Sequence, residues 1–436
     1  MKSDRRWPVA IIGGGFSGTM TVAQLARRGI ASVLVERAEP AGLGVAYATL
    51  DSAHLLNVPA GNMSAWADVP DDFARRTGNP AEFAQRREFG AYLGSILDEA
   101  VSTGCAAVMK GSAVSAQRDE LGWAIGIEGQ EPILADAVVL AVGNQPPGRL
   151  AALDGAANRL ISNPWSAAAR KAIDDSAAND APIMIVGTGL TMVDVVLSLD
   201  AQGHRGPILA LSRRGLIPRG HSAYAPAPVD ISAVPQGNAR KLLSWLRGRS
   251  AEVGWRAAVD SLRPHSRVLW QSLEIREQRR FLRHARPWWD VHRHRIAPQV
   301  AALLVDMVAS GRLEVTAGRL QSCQGVDGAV EVTFRRRSRA DEHTGRFAYL
   351  FNCTGPLHSI ARSADPLLSG LIENGQARAD NLGIGLAVDD ASRVQGSQRL
   401  WAVGPLTKGA FWEIVAVPDI RGQAAAVADD IARELA

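Results

Sequence analysis

The sequence predicts an α/β protein built from two Rossmann-like dinucleotide-binding domains, the second inserted into the first and carrying a helical insertion. Three observations predict it. A strand, glycine turn, helix, strand unit opens the chain within residues 8–36, and the same grammar returns within residues 183–214. Each unit is followed by short strands that close on an apolar strand ending in glycine, AVVLAVG at 137–143 and AYLFNCTG at 348–355. Such a duplication of pattern is the signature of a repeated supersecondary unit.

Residues 8–12 (Pro-Val-Ala-Ile-Ile) are too short an apolar run for a helix and end in glycines, which reads as a buried parallel strand. From Phe16 to Arg28, Met20, Val22, Leu25 and Ala26 recur at helical spacing, Gly29 supplies a stop, and Ala31–Val35 returns as strand. In the second unit Ile183–Val186 is strand, Leu190–Leu199 helix and Ile208–Leu211 strand. Pro-rich 217–235 reads as an irregular loop leading into a helical, Trp- and Arg-rich segment that covers an active site. Residues 318–352 read as a meander whose basic tip, Arg335–Arg339, is a solvated hairpin turn. The expected division is residues 1–155 for the first part of the first domain, 156–345 for the second domain with its helical insertion at about 236–310, and 346–436 for the rest of the first domain.

A chain of 436 residues with 47% hydrophobic and 21% charged residues has enough apolar material for real cores, which excludes a disordered chain. It contains no run of about 18 apolar residues and no signal-like opening, so the expectation is a soluble, cytoplasmic protein with no membrane partner. Cys105, Cys323 and Cys353 are too far apart for a CxxC pair or a zinc ribbon and are expected as reduced, mostly buried thiols. Residues 261–300 hold nine arginines against Glu274, Glu277 and Asp290. Without an RNP, KH or helix-turn-helix signature that basicity favours an anionic small ligand over nucleic acid.

Gly13, Gly15 and Gly18 form GxGxxG between strand and helix, and Glu36 ends the next strand 23 residues after Gly13. The first glycine permits the tight turn, the second admits a pyrophosphate to the backbone, and the third lets helix pack on strand, while the helix N-terminus offers free N–H groups and Glu36 accepts from ribose hydroxyls. The second turn, Gly187-Thr188-Gly189-Leu190-Thr191-Met192, has Met in the third glycine position, so its helix is expected slightly farther from its strand. It ends in Ser212-Arg213-Arg214 where the first ends in Glu36, so two guanidiniums stand ready for a ribose 2′-phosphate: NADPH over NADH, with a surface Arg pair as the plainer reading.

An acidic first site and a 2′-phosphate-selective second site resemble the two-dinucleotide flavoproteins of glutathione-reductase-like arrangement, which bind FAD in the N-terminal domain and NADPH in the inserted one. Their disulfide-reductase branch needs a cysteine pair that these spacings do not supply. More specifically, Gly42-Leu43-Gly44-Val45-Ala46-Tyr47, Leu55–Gly61, Ser212–Gly215 with Pro218–His221, Trp288–Arg295 and Gly404–Glu413 resemble the bacterial FAD/NAD(P)-binding proteins grouped with FAD-dependent urate hydroxylase and aspartate N-hydroxylase. Arg87-Glu88-Phe89 with Tyr92 is similar to the RxExxxY text of N-hydroxylating monooxygenases. Asn163-Pro164-Trp165 stands where flavin-containing and Baeyer-Villiger monooxygenases carry a His-bearing signature, a departure from those two branches.

The resemblance implies that Gly13, Gly15, Gly18 and Glu36 hold FAD, with Asn57 near the isoalloxazine, Gly143 and Gly355 ending strands that pass between the domains, and Gly404 with Pro405 closing on the flavin. It implies that Gly187, Gly189, Ser212, Arg213 and Arg214 hold NADPH. His284, Trp288, His292 and Arg295 fall about four apart, either one helical stripe offering an aromatic floor and cations to an anion, or a basic face packed by tryptophans. His292 and His294 lack the spacing of a metal site, so no metal is expected. His221 reaches nicotinamide or substrate, or is structural. Lys408, Phe411 and Trp412 lie in the flavin-covering segment, where the aromatics exclude water from reduced flavin or simply pack the core. No acid–base residue is demanded.

The implied function is an NADPH-dependent FAD monooxygenase that uses oxygen, through a flavin–oxygen adduct, to hydroxylate a small nitrogen-containing anion such as urate or an amino acid. The alternatives are an NADPH oxidoreductase passing electrons to a quinone or a protein, and a non-catalytic nucleotide-sensing flavoprotein.

Overall fold

The computed structural model describes residues 6–337, 341–356 and 359–436. The first sheet opens with β1 (Arg6–Ile12), β2 (Ser32–Glu36), β3 (Ala106–Lys110), β4 (Ala113–Arg118), β5 (Trp123–Ile127) and β6 (Ile133–Leu140). The second comprises β7 (Leu160–Ile161), β8 (Ile183–Val186), β9 (Ile208–Ser212), β10 (Leu313–Val326), β11 (Ala329–Arg336), β12 (Glu342–Phe347) and β13 (Tyr349–Asn352). The chain then returns: β14 (Leu400–Ala402) pairs in parallel with Val138–Leu140 of β6 and so completes the first sheet from far along the sequence.

The strand orders are β3-β2-β1-β6-β5-β4, with β14 on β6, and β12-β11-β10-β9-β8-β13-β7. Both sheets are parallel around the glycine-turn strands and end in an antiparallel meander. In the second sheet one long strand serves both purposes: Leu313–Ala317 of β10 pairs in parallel with β9, and from Gly318 the same strand pairs antiparallel with β11. Strands buried on both faces explain the unbroken apolar runs seen in the sequence. Ile11, Leu34 and Val139 are fully buried in the first core with Trp401 of β14, and Ile185, Val196 and Phe351 in the second. The fold is therefore mixed α/β with two Rossmann-like units in the glutathione-reductase-like arrangement.

Between β9 and β10 the helices Ala239–Val253, Trp255–Ser261, Ser266–Ser272, Ile275–Arg280 and Arg286–Arg293 form a compact cap with small cores of its own, one around Val234, Leu262 and Leu269 and another around Trp270 and Leu273. Helix Pro298–Ala309 differs from them. It sends Val300, Leu304 and Met307 into the second sheet's core, as the crossover of a βαβ unit must.

Two expectations need correction. Cys353 is buried, but Cys105 and Cys323 are only partly so; all three thiols are unpaired. The stripe from His284 to Arg295 does not form one surface. Phe281–Ala285 is a π-helical turn, which breaks the four-residue spacing, and the following helix stops at Arg293. Trp288 is left 47% exposed, whereas Arg295 is 2% exposed and bound to Asp260. Of the basic tip between β11 and β12, Arg339 lies outside the described residues.

Candidate functional site

The first glycine turn is constrained by its neighbours on three sides. Gly13 has φ +102°, and a Cβ on it would lie 2.5 Å from the Ala141 carbonyl oxygen where β6 ends. A Cβ on Gly18 would lie 1.9 Å from Gly13 O, so any side chain there would push the helix off its strand. Gly15 is different: its nearest neighbour is Gly44 Cα at 3.5 Å, which leaves backbone N–H groups of the helix N-terminus approachable. Glu36 sits over the mouth of this turn. Its carboxylate accepts from the Gly14 N–H and, at 2.7 Å, from the Ala38 N–H. A cradle open at its second glycine, with a carboxylate at the strand end, fits a dinucleotide.

The second turn repeats the construction. Gly187 has φ +112°, and a Cβ there would lie 2.0 Å from Cys353 O, the counterpart of Ala141 in the first half. Gly189 has no atom within 4 Å of its Cβ position. The Thr188 hydroxyl lies 2.9 Å from Ser212 Oγ and donates to Leu216 O, and Ser212 Oγ accepts from the Gly215 N–H at 3.0 Å. These bonds fold the loop back and leave Arg213 exposed at the strand end. Burial, with Arg213 and Arg337 close by, pulls Arg214 below the ordinary arginine value. Arg337 is thus a third guanidinium at this site. Sequence reasoning placed it in a solvated hairpin, because only the antiparallel turn of β10 onto β11 brings the end of β11 back beside the loop after β9.

Gly143, Pro405 and Lys408, each singled out separately, line one small cleft with Asn144, Gln145, Ile360, Ile384 and Leu406. Gly404 at φ +79° lets this segment lie on the N-terminus of the first helix, since a Cβ there would sit 2.4 Å from Ser17 Oγ. Gln423 pins it: its Oε1 accepts from the Gly404 N–H at 2.7 Å and its Nε2 donates to Thr407 Oγ1 at 2.9 Å. Nothing in the local sequence marked Gln423. Burial pulls Lys408 down to about 8, aided by Arg286 and opposed by Asp380 and Asp290. Burial also pushes the Asp380 carboxyl up, although it accepts from the Leu382 N–H at 2.7 Å.

Trp412 does not point its ring into that cleft. It has φ +51°, stacks on Trp270 with centroids 4.7 Å apart and 21° between planes, and meets Phe281 edge-on at 5.3 Å. Trp270 Nε1 donates to Gly409 O at 2.8 Å, while Glu413 accepts from Trp289 Nε1 at 2.7 Å and pairs with Arg293 Nε at 3.0 Å. The helical cap therefore grips the C-terminal segment on both sides of Trp412. Phe411 is buried beneath Arg267.

His221 donates from Nε2 to Asn57 O at 2.9 Å, with its ring 5.0 Å from Phe83, and so joins a loop of the second domain to the Asn57 loop of the first. Burial, despite the bond to Asn57, draws His221 below its ordinary value. His292 is turned away: Nδ1 donates to Trp288 O at 2.7 Å and the ring meets Trp255 edge-on. The two halves are also joined by Arg86, which donates to both oxygens of Asp194, and by Ser198, which donates to Asp51 at 2.6 Å. In the segment that resembles RxExxxY, Arg86 rather than Arg87 makes the buried contact, Glu88 completes a capping box with Gln85, and Tyr92 donates to Asp72 at 2.6 Å.

Residues 10–145 match a family model described as FAD-NAD(P)-binding. No curated protein matches the chain. Among solved structures it is similar to an ornithine N-hydroxylase from Kutzneria sp. 744 (16% identity, TM-score 0.66, covering 99% of this chain and 100% of that one). Ornithine hydroxylase from Pseudomonas aeruginosa gives 13% identity, TM-score 0.67 and coverage of 99% and 100%. L-lysine 6-monooxygenase from Pseudomonas syringae gives 16%, 0.64, and 98% and 99%. At such identities the likeness shows the fold, that of the two-domain FAD/NAD(P)-binding flavoproteins, over nearly the whole chain. Among the described residues no helix is long and apolar enough to cross a membrane, and no group of His, Cys, Asp and Glu is placed to hold a metal.

Proposed function

We propose that this chain is an NADPH-dependent FAD monooxygenase that hydroxylates a small, nitrogen-containing, anionic substrate. The observation that carries the reading is the cover over the C-terminal segment: Trp270, Phe281 and Trp289 of the cap close on Trp412 and Glu413, next to the cleft lined by Gly143, Pro405 and Lys408. A water-poor site is what oxygen insertion requires and what simple electron transfer to a quinone or protein does not. The similarity to ornithine and lysine hydroxylases supports the same reading.

On this reading Gly13, Gly15, Gly18 and Glu36 would hold FAD, Asn57 would lie near it, and Gly143, Gly404 and Pro405 would belong to the segments that meet it. Gly187, Gly189, Ser212, Arg213 and Arg214 hold NADPH, and Arg337 adds a third cation for the 2′-phosphate. FAD supplies storage of two electrons from NADPH and their reaction with oxygen. The chain's own residues do the rest. The two helix N-termini neutralise phosphate, the half-buried Lys408 ammonium attracts negative charge to the cleft, and the aromatic cap excludes water. His221, fixed on Asn57 O, keeps the two loops in register. The test is anaerobic: the purified protein should retain FAD, and NADPH should bleach it much faster than NADH.

A further inference from the structure

We propose that Arg256 and Arg219 form an oxyanion subsite beside His221 that receives a carboxylate of the substrate. The identity of the anion as substrate rests on the monooxygenase reading; the existence of the subsite does not. Arg256 Nη2 donates to Gly220 O at 2.9 Å, which sets its guanidinium one residue from His221 and so beside the contact between His221 and Asn57. The guanidinium lies 4.2 Å from the centroid of the Trp255 ring. Arg295 approaches the same indole at 5.4 Å.

Two guanidiniums thus meet at this corner, with Arg219 next in the chain to the Gly220 that Arg256 binds, and the acid placed beside them, Asp260, is already engaged by Arg295 Nη2 and by the Tyr224 hydroxyl. Among the described residues neither Arg256 nor Arg219 forms an ion pair, and Arg256 Nε is buried without a hydrogen-bond partner. Burial, with Arg295 and Arg219 as neighbours, holds Arg256 below the ordinary arginine value. Like charges kept together around an unpartnered buried donor are an arrangement that an incoming oxyanion relieves, and a guanidinium fork matches a carboxylate in two parallel bonds. The indole supplies a flat apolar wall beside it.

The experiment is calorimetric titration of the FAD-loaded protein with oxalate and L-aspartate, and separately with NADP⁺, so that a substrate carboxylate is distinguished from a nucleotide phosphate. Arg256→Gln should raise the Kd for the dicarboxylates at least about tenfold while leaving NADP⁺ within about twofold, Arg256→Lys should recover part of the loss, and the more exposed Arg219→Gln should weaken the dicarboxylates severalfold. Dicarboxylate affinity unchanged in both Gln variants, or absent from the wild type, overturns the subsite. Loss of NADP⁺ affinity with the dicarboxylates spared overturns its assignment to the substrate. If NADPH fails to bleach the wild-type flavin while dicarboxylate binding still depends on Arg256, the subsite stands and the monooxygenase reading falls.

Discussion

The guanidinium of Arg86 closes on the carboxylate of Asp194 in a two-pronged ion pair, Nη1 to Oδ2 at 3.0 Å and Nη2 to Oδ1 at 2.8 Å, with both side chains buried. Arg86 begins the helix that precedes β3 and Asp194 lies in the helix that follows β8, so the pair ties one nucleotide-binding half to the other. His54 adds a bond to the Asp194 carbonyl at 3.1 Å. Removing one partner leaves the other buried and uncompensated. Asp194→Asn or Arg86→Met should therefore lose about 3–5 kcal/mol in denaturant unfolding, whereas a double replacement by apolar residues should recover much of it.

Glu36→Ala should yield protein that purifies largely without FAD, since the carboxylate at the strand end and its bond to the Gly14 N–H are lost together. The visible spectrum after gel filtration, at matched protein concentration, checks it. Retention of stoichiometric flavin would remove Glu36 from the nucleotide site.

Arg213→Ala should raise the KM for NADPH about tenfold, the worth of one charge-assisted bond, and leave NADH nearly unchanged. Arg337→Ala should act in the same direction through a smaller loss, because it stands beside Arg214 without ending β9. Initial rates with both nucleotides are sufficient. Equal losses for NADPH and NADH would show that these guanidiniums do not meet the 2′-phosphate.

Lys408 titrates near 8 in the folded protein, below its value in the unfolded chain. Between the two values the unfolded state holds more protons, so this residue contributes stability that rises with pH from about 8 to about 10.4, and its burial as an ammonium is unfavourable below that window. Lys408→Met should accordingly raise Tm at pH 7 and raise it less at pH 10, the ionic strength being held constant.

Trp270→Ala removes the ring stacked on Trp412, a contact worth about 0.5–1.5 kcal/mol beyond its area. The variant should be reduced by NADPH at an unchanged rate but release more hydrogen peroxide, because water reaches the covered segment. A peroxide assay alongside NADPH consumption reads both.

The fold was legible wherever local chemistry is repeated in order. Gly13 and Gly187 announce their turns because no other residue type tolerates both the left-handed backbone and the carbonyl pressed against it, Ala141 O in one half and Cys353 O in the other. What escaped depends on pairing across distance. Arg337 joins the second site only because β11 folds back on β10, and Arg86 was overlooked for its neighbour Arg87 because burial of one arginine rather than the next follows from the partner, Asp194, more than a hundred residues away. The stripe from His284 to Arg295 failed for a local reason, a single π-helical turn that shifts the phase of everything after it. The resemblance assigns Trp412 to a flavin-covering segment, and its contact with Trp270 belongs to the packing of two segments that no local pattern connects.

The central claim is tested most directly by following oxygen, NADPH and hydrogen peroxide together while the FAD-loaded protein is offered small nitrogen-containing acids. The account predicts that at least one of them makes oxygen and NADPH disappear in equimolar amounts without peroxide, and that a hydroxylated product appears. Peroxide equal to the NADPH consumed with every acid, together with rapid anaerobic turnover on a quinone, would contradict it.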